Sequence, residues 1–220
     1  MTQMLEINDL KLEVNGRPIA ESLSFKVPSG QLYCLSGPSG IGKTTLVRAI
    51  AGLHTVKQGT ITVNDVCFVK DGKEIVPCHL RKVGYAPQQP SLYPHMTVMQ
   101  NLTFFLQGST PEEETQKATS ILERLKIADK KSSYPHQLSG GQAQRVAIAR
   151  AMINDPQILL FDETLSGVHA ELAAKVGKII ADMIAEKRIP GILISHDLQL
   201  SKKISPYSCI FENHGIQCFS

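Results

Sequence analysis

The stretch Gly37-Pro38-Ser39-Gly40-Ile41-Gly42-Lys43-Thr44 fits G-x-x-x-x-G-K-[ST]. Glycines at 37, 40 and 42 let backbone N–H groups turn toward one point and form an anion nest. A helix opening after Gly42 adds the positive end of its dipole. Lys43 supplies a mobile charge for β- and γ-phosphates, Thr44 a hydroxyl for Mg²⁺, and Thr45 a second hydroxyl for the α-phosphate. Farther along, the apolar run Ile158 to Phe161 ends in Asp162 and Glu163. Parallel α/β sheets bind ligands beyond the carboxyl ends of their strands. Asp162 is therefore placed to join a Mg²⁺ shell, and Glu163 to polarise a water aimed at a γ-phosphate. Acids at a strand end often only cap the next helix; the phosphate loop favours the chemical reading.

These residues need elements to hold them. Short apolar runs at Leu32–Leu35, Ile158–Phe161 and Ile192–Ile194 read as buried strands of a parallel sheet. Leu5, Ile7, Leu10, Leu12 and Val14 alternate, which predicts a half-buried antiparallel edge. Three helical faces alternate with the strands: Leu46, Ala49, Ile50 and Leu53; Ala118, Ile121, Leu122 and Leu125; and Leu172, Val176, Ile179, Ile180 and Met183. The second has a start signal, with Thr110 as cap, Pro111 at the first position and Glu113 closing a capping box. Strands alternating with helices argue for an α/β fold. The stretch 88–154 has helical signals and little strand character, so it reads as a helical insertion. Turn signals fall at Asn15-Gly16, Asp71-Gly72, Pro190-Gly191 and Asn213-His214-Gly215.

Composition narrows the classes. The chain has 220 residues, 42% of them hydrophobic and 20% charged, which excludes a disordered chain and a coiled coil. At about 150 residues per domain, one domain is expected. No apolar run approaches the roughly 18 residues of a membrane span, and no basic stretch precedes an apolar one at the start, so no secretory signal is expected. A net charge of +3 is too mild to argue for nucleic acid. Cys34, Cys67, Cys78, Cys209 and Cys218 form no CxxC pair and read as reduced thiols.

With Gly37 to Thr44 and Asp162-Glu163, the sequence Leu138-Ser139-Gly140-Gly141-Gln142 resembles the nucleotide-binding subunit of an ATP-binding-cassette (ABC) transporter, from about Leu5 to Gln217. The neighbouring Tyr134-Pro-His-Gln137 and Gln144 to Arg150 match as well. The resemblance implies a P-loop NTPase (RecA-like) core, 1–87 and 155–220, with an antiparallel β edge and an inserted α-helical subdomain, 88–154. It implies ATP and Mg²⁺ as ligands, and Ser139, Gly140, Gly141 and Gln142 facing the γ-phosphate in a second subunit, where a helix N-terminus and small residues suit an anion. Gln88 resembles the glutamine that reaches Mg²⁺ and the attacking water, with Gln89 as the neighbouring alternative. His196, after Ile192–Ile194, resembles the switch histidine that bonds the γ-phosphate and orients Glu163; Asp197 reads as the cap of the next helix. As loop residues, Gln88 and His196 have a bland reading too; their place beside the strands raises the functional one.

The chain departs from the family pattern in two places. Thr164 to His169 replaces the usual Pro-Leu-Ser-Ala-Leu-Asp, which predicts slow basal turnover. Val14 stands where an adenine-stacking aromatic is usual, which predicts reduced affinity or base selectivity; Arg17 is the alternative stacking group.

The implied partners are a second nucleotide-binding subunit, head to tail, transmembrane permease subunits and a solute-binding protein, with the chain peripheral on the cytoplasmic face of a membrane. Leu92 to Thr97 reads as the socket for a permease helix, with local core as the competing reading for Leu92. Pro94 to Val98 and Tyr134 to Gln137 resemble importers of polar amino acids; exporters, lipid-transport ATPases and soluble non-transport cassettes are the alternatives. The chain stops soon after the turn at Asn213-Gly215, so no C-terminal regulatory domain is expected.

Overall fold

A computed structural model describes residues 4–104, 106, 110–212 and 215–219. The first strands, β1 (Met4–Val14) and β2 (Arg17–Pro28), form an antiparallel hairpin over the Asn15-Gly16 turn. β1 does not lie at an edge. It pairs with β4 (Gln58–Val63) on its other side, inside a five-stranded antiparallel sheet completed by β5 (Val66–Lys70) and β6 (Lys73–Glu74), in the order β2-β1-β4-β5-β6. The sequence hides one irregularity. Leu5 and Ile7 share one phase, and Leu10 and Leu12 the other, yet all four are fully buried. A register shift between Ile7 and Leu10, with Asp9 at φ 48°, slips the strand by one residue and returns its apolar set to the core. Val14 falls outside that set and is 36% exposed.

The second sheet has six strands in the order β11-β10-β3-β9-β8-β7, from β3 (Leu32–Ser36), β7 (Val83–Ala86), β8 (Ile158–Asp162), β9 (Gly191–Ile194), β10 (Ser208–Glu212) and β11 (Gly215–Phe219). The strands from β7 to β10 run parallel, and β11 closes the edge antiparallel to β10. The three apolar runs of the sequence are thus its centre. Their alternate residues divide between two cores, as the two-residue repeat of a strand requires. Leu35, Leu160 and Ile194 face the antiparallel sheet across α1 (Lys43–Ala51). Cys34, Leu159, Phe161 and Leu193 face the other helices. Leu53 is not on the α1 face: the helix ends in a left-handed Gly52, and Leu53 is 47% exposed.

Between β7 and β8 lie α2 (Val98–Thr103), α3 (Pro111–Arg124) and α4 (Gly140–Met152), with no strand among the described residues. The α3 start is as predicted: the Thr110 Oγ1 accepts from the Glu113 N–H, and Glu113 Oε2 accepts from the Thr110 N–H. Ala118, Ile121, Leu122 and Leu125 are buried against α4 and its neighbours. The face of α5 (Ala170–Lys187) is narrower than its pattern, with Val176, Ile180 and Met183 buried and Leu172 and Ile179 half-buried. Asp197 caps α6 (Leu198–Ile204), accepting from the N–H groups of Gln199 and Leu200 at 2.8 and 2.9 Å.

One expectation about cysteine is corrected. Cys209 and Cys218 sit directly opposite each other on β10 and β11 and are joined by a disulfide, with Cα atoms 4.0 Å apart. Strand pairing brings them together, which spacing alone does not show. Cys34, Cys67 and Cys78 are free thiols, and burial pushes Cys34 up to about 12. Asn213 and His214, in the turn signal between these strands, lie outside the described residues.

Candidate functional site

The strand β3 ends at Ser36 and releases the chain into the glycine-rich loop. Gly37, Gly40 and Gly42 have φ of 142°, 78° and 111°, a region side chains rarely adopt. Two of them also lack room for a side chain. A Cβ on Gly37 would stand 2.4 Å from the carbonyl oxygen of Phe211, and one on Gly42 would stand 1.8 Å from the Ile19 Cγ2. The loop is thus wedged between β10 and β2 and delivers Lys43 as the first residue of α1. The Lys43 side chain is 4% exposed, and its Nζ donates to the carbonyls of Gly37 and Pro38, each at 2.8 Å. Burial holds its pKa below the usual lysine value, against the pull of Glu163 and Asp162. A cation folded back on its own loop is a donor that an arriving anion can draw out.

The acidic strand end meets this loop. Thr44 Oγ1 donates to Asp162 Oδ1 at 2.9 Å, and the Tyr85 hydroxyl donates to Asp162 Oδ2 at 3.1 Å. Asp162 is 3% exposed, so both bonds are needed to keep a carboxylate there. Burial, with Asp162 beside it, pushes the Tyr85 hydroxyl above the usual tyrosine value, which keeps it a neutral donor. Glu163 follows at φ 51°, left-handed for a non-glycine residue, a strain of about 1–3 kcal/mol. Its carboxylate is held at both ends: Gln88 Nε2 donates to Oε2 at 2.9 Å, and His196 Nε2 contacts Oε1. Gln89 makes no such contact; its carbonyl accepts from Ser91, which separates the two adjacent glutamines.

Ser39, Gly40, Gly42, Lys43, Thr44 and Thr45 share the lining of an open cleft of about 950 Å³ with Gln88, Glu163 and His196. Val14, Asn15, Arg17 and Ile19 also line it, with no Phe, Tyr or Trp among its described lining residues. Leu138 to Gln142 is elsewhere and does not line the cleft. Ser139 caps the 13-residue α4: its Oγ accepts from the Gln142 N–H at 3.3 Å, while Gln142 Oε1 accepts from the Ser139 N–H at 2.8 Å. Ser139 and Gly140 are exposed at a helix N-terminus with its donors pointing outward. His169 is exposed and gives α5 no side-chain cap. Thr164 is fully buried, and its hydroxyl has no hydrogen-bond partner among the described residues.

Three contacts were not foreseen from the sequence. Tyr85 holds Asp162. Gln144, on the buried face of α4, donates through Nε2 to the Pro87 carbonyl at 3.2 Å. Arg150 donates to the carbonyls of Pro90 and Ser91 and lies over the Tyr93 ring. Gln144 alone carried a signal: a polar residue on an apolar helix face needs a partner. The Leu92 to Thr97 segment is partly structural. Leu92 packs against the helical core, and Asn101, fully buried, binds the Tyr93 N–H and the carbonyls of Tyr93, Met96 and Thr97. Pro94 and His95 remain exposed.

The sequence pattern of the ABC transporter family matches residues 20–166. The Fe(3+) ions import ATP-binding protein FbpC of Pseudomonas fluorescens is 37% identical over 194 residues, covering 88% of this chain and 54% of that protein. The chain therefore spans about half the length of the iron-import relatives it matches. The L-cystine transport system ATP-binding protein TcyN of Escherichia coli is 34% identical over 219 residues, covering 96% of this chain and 87% of that protein. The fold is shared with the ATP-binding cassette MJ0796, solved as a dimer in a post-hydrolysis state bound to ADP and Pi, at a TM-score of 0.83 and 22% identity over 97% of this chain and 96% of that one. The ADP conformation of MJ1267, another cassette, gives 0.82 at 24% identity over 99% and 90%.

Proposed function

The chain belongs to the ABC transporter family, and from that premise we propose that it is the ATP-hydrolysing subunit of a system that imports a small polar solute. The observation that carries this reading is the grip of Gln88 and His196 on the two oxygens of Glu163, above the loop that carries Lys43 and Thr44. The names of the relatives, iron and L-cystine import, support import of a polar solute.

The triphosphate lies in the nest of Gly37 to Thr45. Backbone N–H groups and the α1 N-terminus take the phosphate oxygens, and Lys43 leaves its two loop carbonyls for the β- and γ-phosphates. Thr44, Asp162 and Gln88 would hold Mg²⁺. The donor set fits: hydroxyl, carboxylate and amide oxygens are hard ligands, and Thr44 and Asp162 already meet at 2.9 Å. When bound, Mg²⁺ supplies charge neutralisation on the phosphates. Glu163 accepts the proton of the attacking water, and His196 keeps its carboxylate aimed and bonds the γ-phosphate. The roles of Pro38, Ser39, Gly40 and Gly42 are to shape the nest.

Ser139, Gly140, Gly141 and Gln142 act in trans, on the nucleotide of a second copy or a paralogue docked head to tail. The Ser139 oxygen caps its own helix and keeps a proton to donate. The core is 1–87 and 155–220, with 88–154 as the helical subdomain that answers nucleotide by moving its signature. A permease subunit docks beside Gln88, on the segment where Pro94 and His95 are exposed. Among the described residues no helix is long and apolar enough to cross a membrane; the chain works on the cytoplasmic face through those partners and, for import, with a solute-binding protein outside.

The test is ATP hydrolysis by the purified chain with Mg²⁺, beside Glu163→Gln. The reading expects Glu163→Gln to lose about 10²–10⁴-fold in rate while still binding ATP. Hydrolysis unchanged in Glu163→Gln would remove Glu163 from its role, and no ATP binding at all would sink the proposal.

A further inference from the structure

We propose that Tyr85 is a positioning residue that fixes the plane of the Asp162 carboxylate and reserves one of its oxygens for the metal. The inference deepens the reading of the nucleotide site above and rests on it.

β7 and β8 are neighbouring parallel strands, with Tyr85 opposite Leu160 and Ala86 opposite Phe161. Tyr85 and Leu160 are on the same face of the sheet, packed with the core beneath the antiparallel sheet. From that position a side chain must reach along its neighbour to meet Asp162 at the strand's end. A phenol has that reach, and its hydroxyl donates to Oδ2 at 3.1 Å. Oδ1 is taken by the Thr44 hydroxyl at 2.9 Å, on the side of the phosphate loop.

The terminal torsion of an aspartate is a broad, roughly two-fold rotor, so a carboxylate held by one oxygen is free to swing. Held at both, it has one plane. Thr44 bonds Oδ1 from the phosphate loop, whose residues would hold the metal, while Oδ2 is engaged by the neutral Tyr85 donor from β7. Asp162 thereby presents a single oxygen toward Thr44 instead of a bidentate pair. Mg²⁺ tolerates little departure from octahedral geometry, so the orientation of a one-oxygen ligand matters. Partners that orient a metal's ligands affect its affinity on the order of tenfold or more.

Tyr85→Phe keeps the ring and removes only the hydroxyl. The affinity for a non-hydrolysable ATP analogue is measured by calorimetry, in Mg²⁺ and in EDTA, for wild type, Tyr85→Phe and Asp162→Asn. The expected result is that Tyr85→Phe matches wild type within twofold in EDTA but binds on the order of tenfold more weakly in Mg²⁺. Asp162→Asn, as control, loses the Mg²⁺ enhancement. Equal affinities for Tyr85→Phe and wild type in both media would overturn the inference, as would an equal loss in both, which marks a packing role. If Tyr85→Phe unfolds, Tyr85→Met, which also lacks the donor, must show the same Mg²⁺-specific loss. A wild type without Mg²⁺ enhancement overturns the reading of the site and this inference with it; an intact enhancement that Asp162→Asn loses and Tyr85→Phe keeps overturns this inference alone.

Discussion

Gln144 donates through its Nε2 to the carbonyl of Pro87, the residue beside Gln88, at 3.2 Å. The bond joins the helix that begins at Ser139 to the loop that reaches Glu163. Arg150, nearly two turns farther along the same helix, holds the carbonyls of Pro90 and Ser91. α4 and the segment 87–91 are therefore tied together by three hydrogen bonds.

Gln144→Leu removes that tie. Gln144 is 6% exposed, so the Pro87 carbonyl loses a partner in a partly buried place. Equilibrium urea unfolding should show a loss of about 1–3 kcal/mol. ATP hydrolysis should fall with ATP binding retained, because the change disturbs Gln88 and leaves the phosphate nest alone. A variant as stable and as active as wild type would show that the bond carries nothing.

Thr164 offers the opposite sign. Its hydroxyl is fully buried without a partner among the described residues, a cost of about 1–3 kcal/mol in the folded state. Thr164→Val keeps the branched shape and removes the orphaned hydroxyl. The midpoint of thermal unfolding should rise, corresponding to a gain of about 1 kcal/mol. A lower midpoint would mean that the hydroxyl has a partner in solution.

Lys43 gives a pH dependence. Burial lowers its pKa in the folded chain below the usual lysine value, so the unfolded chain binds more protons in the window between the two. Stability then rises with pH through that window, up to the ordinary lysine value. The difference in unfolding free energy between wild type and Lys43→Met should therefore shift toward wild type as pH rises through that window. A difference that is flat with pH, or shifts the other way, would contradict the burial of this ammonium.

The cleft was legible because its residues announce themselves in short runs. Gly37 to Thr44 and Ile158 to Glu163 each place their chemistry at the end of one strand, and strand, loop and helix follow in order. The pairing of Gln88 with Glu163 required the resemblance, since nothing local links residues 75 apart. What stayed hidden depends on tertiary register. β1 reads as a simple alternation until the bulge at Asp9 shows how Leu10 and Leu12 join Leu5 and Ile7 in the core; Val14, at the strand's end beyond further register shifts, is 36% exposed. β1 also lies between two strands, because sequence patterning marks which face is buried and not which neighbours pair. Cys209 and Cys218 meet only through the antiparallel pairing of β10 and β11. Tyr85 reads as a strand aromatic, and its hydroxyl gains meaning only when β8 is laid beside it.

Ser139 lies outside the cleft that holds Lys43 and Glu163, and the proposed function has a second chain's Ser139 complete each site. The most direct measurement is ATP hydrolysis per molecule as a function of protein concentration, with Glu163→Gln as the blank and sedimentation reporting association. The account predicts that specific activity climbs with concentration as the chain pairs, and that Ser139→Arg abolishes the climb. Specific activity that is constant down to concentrations at which only monomers sediment would contradict it.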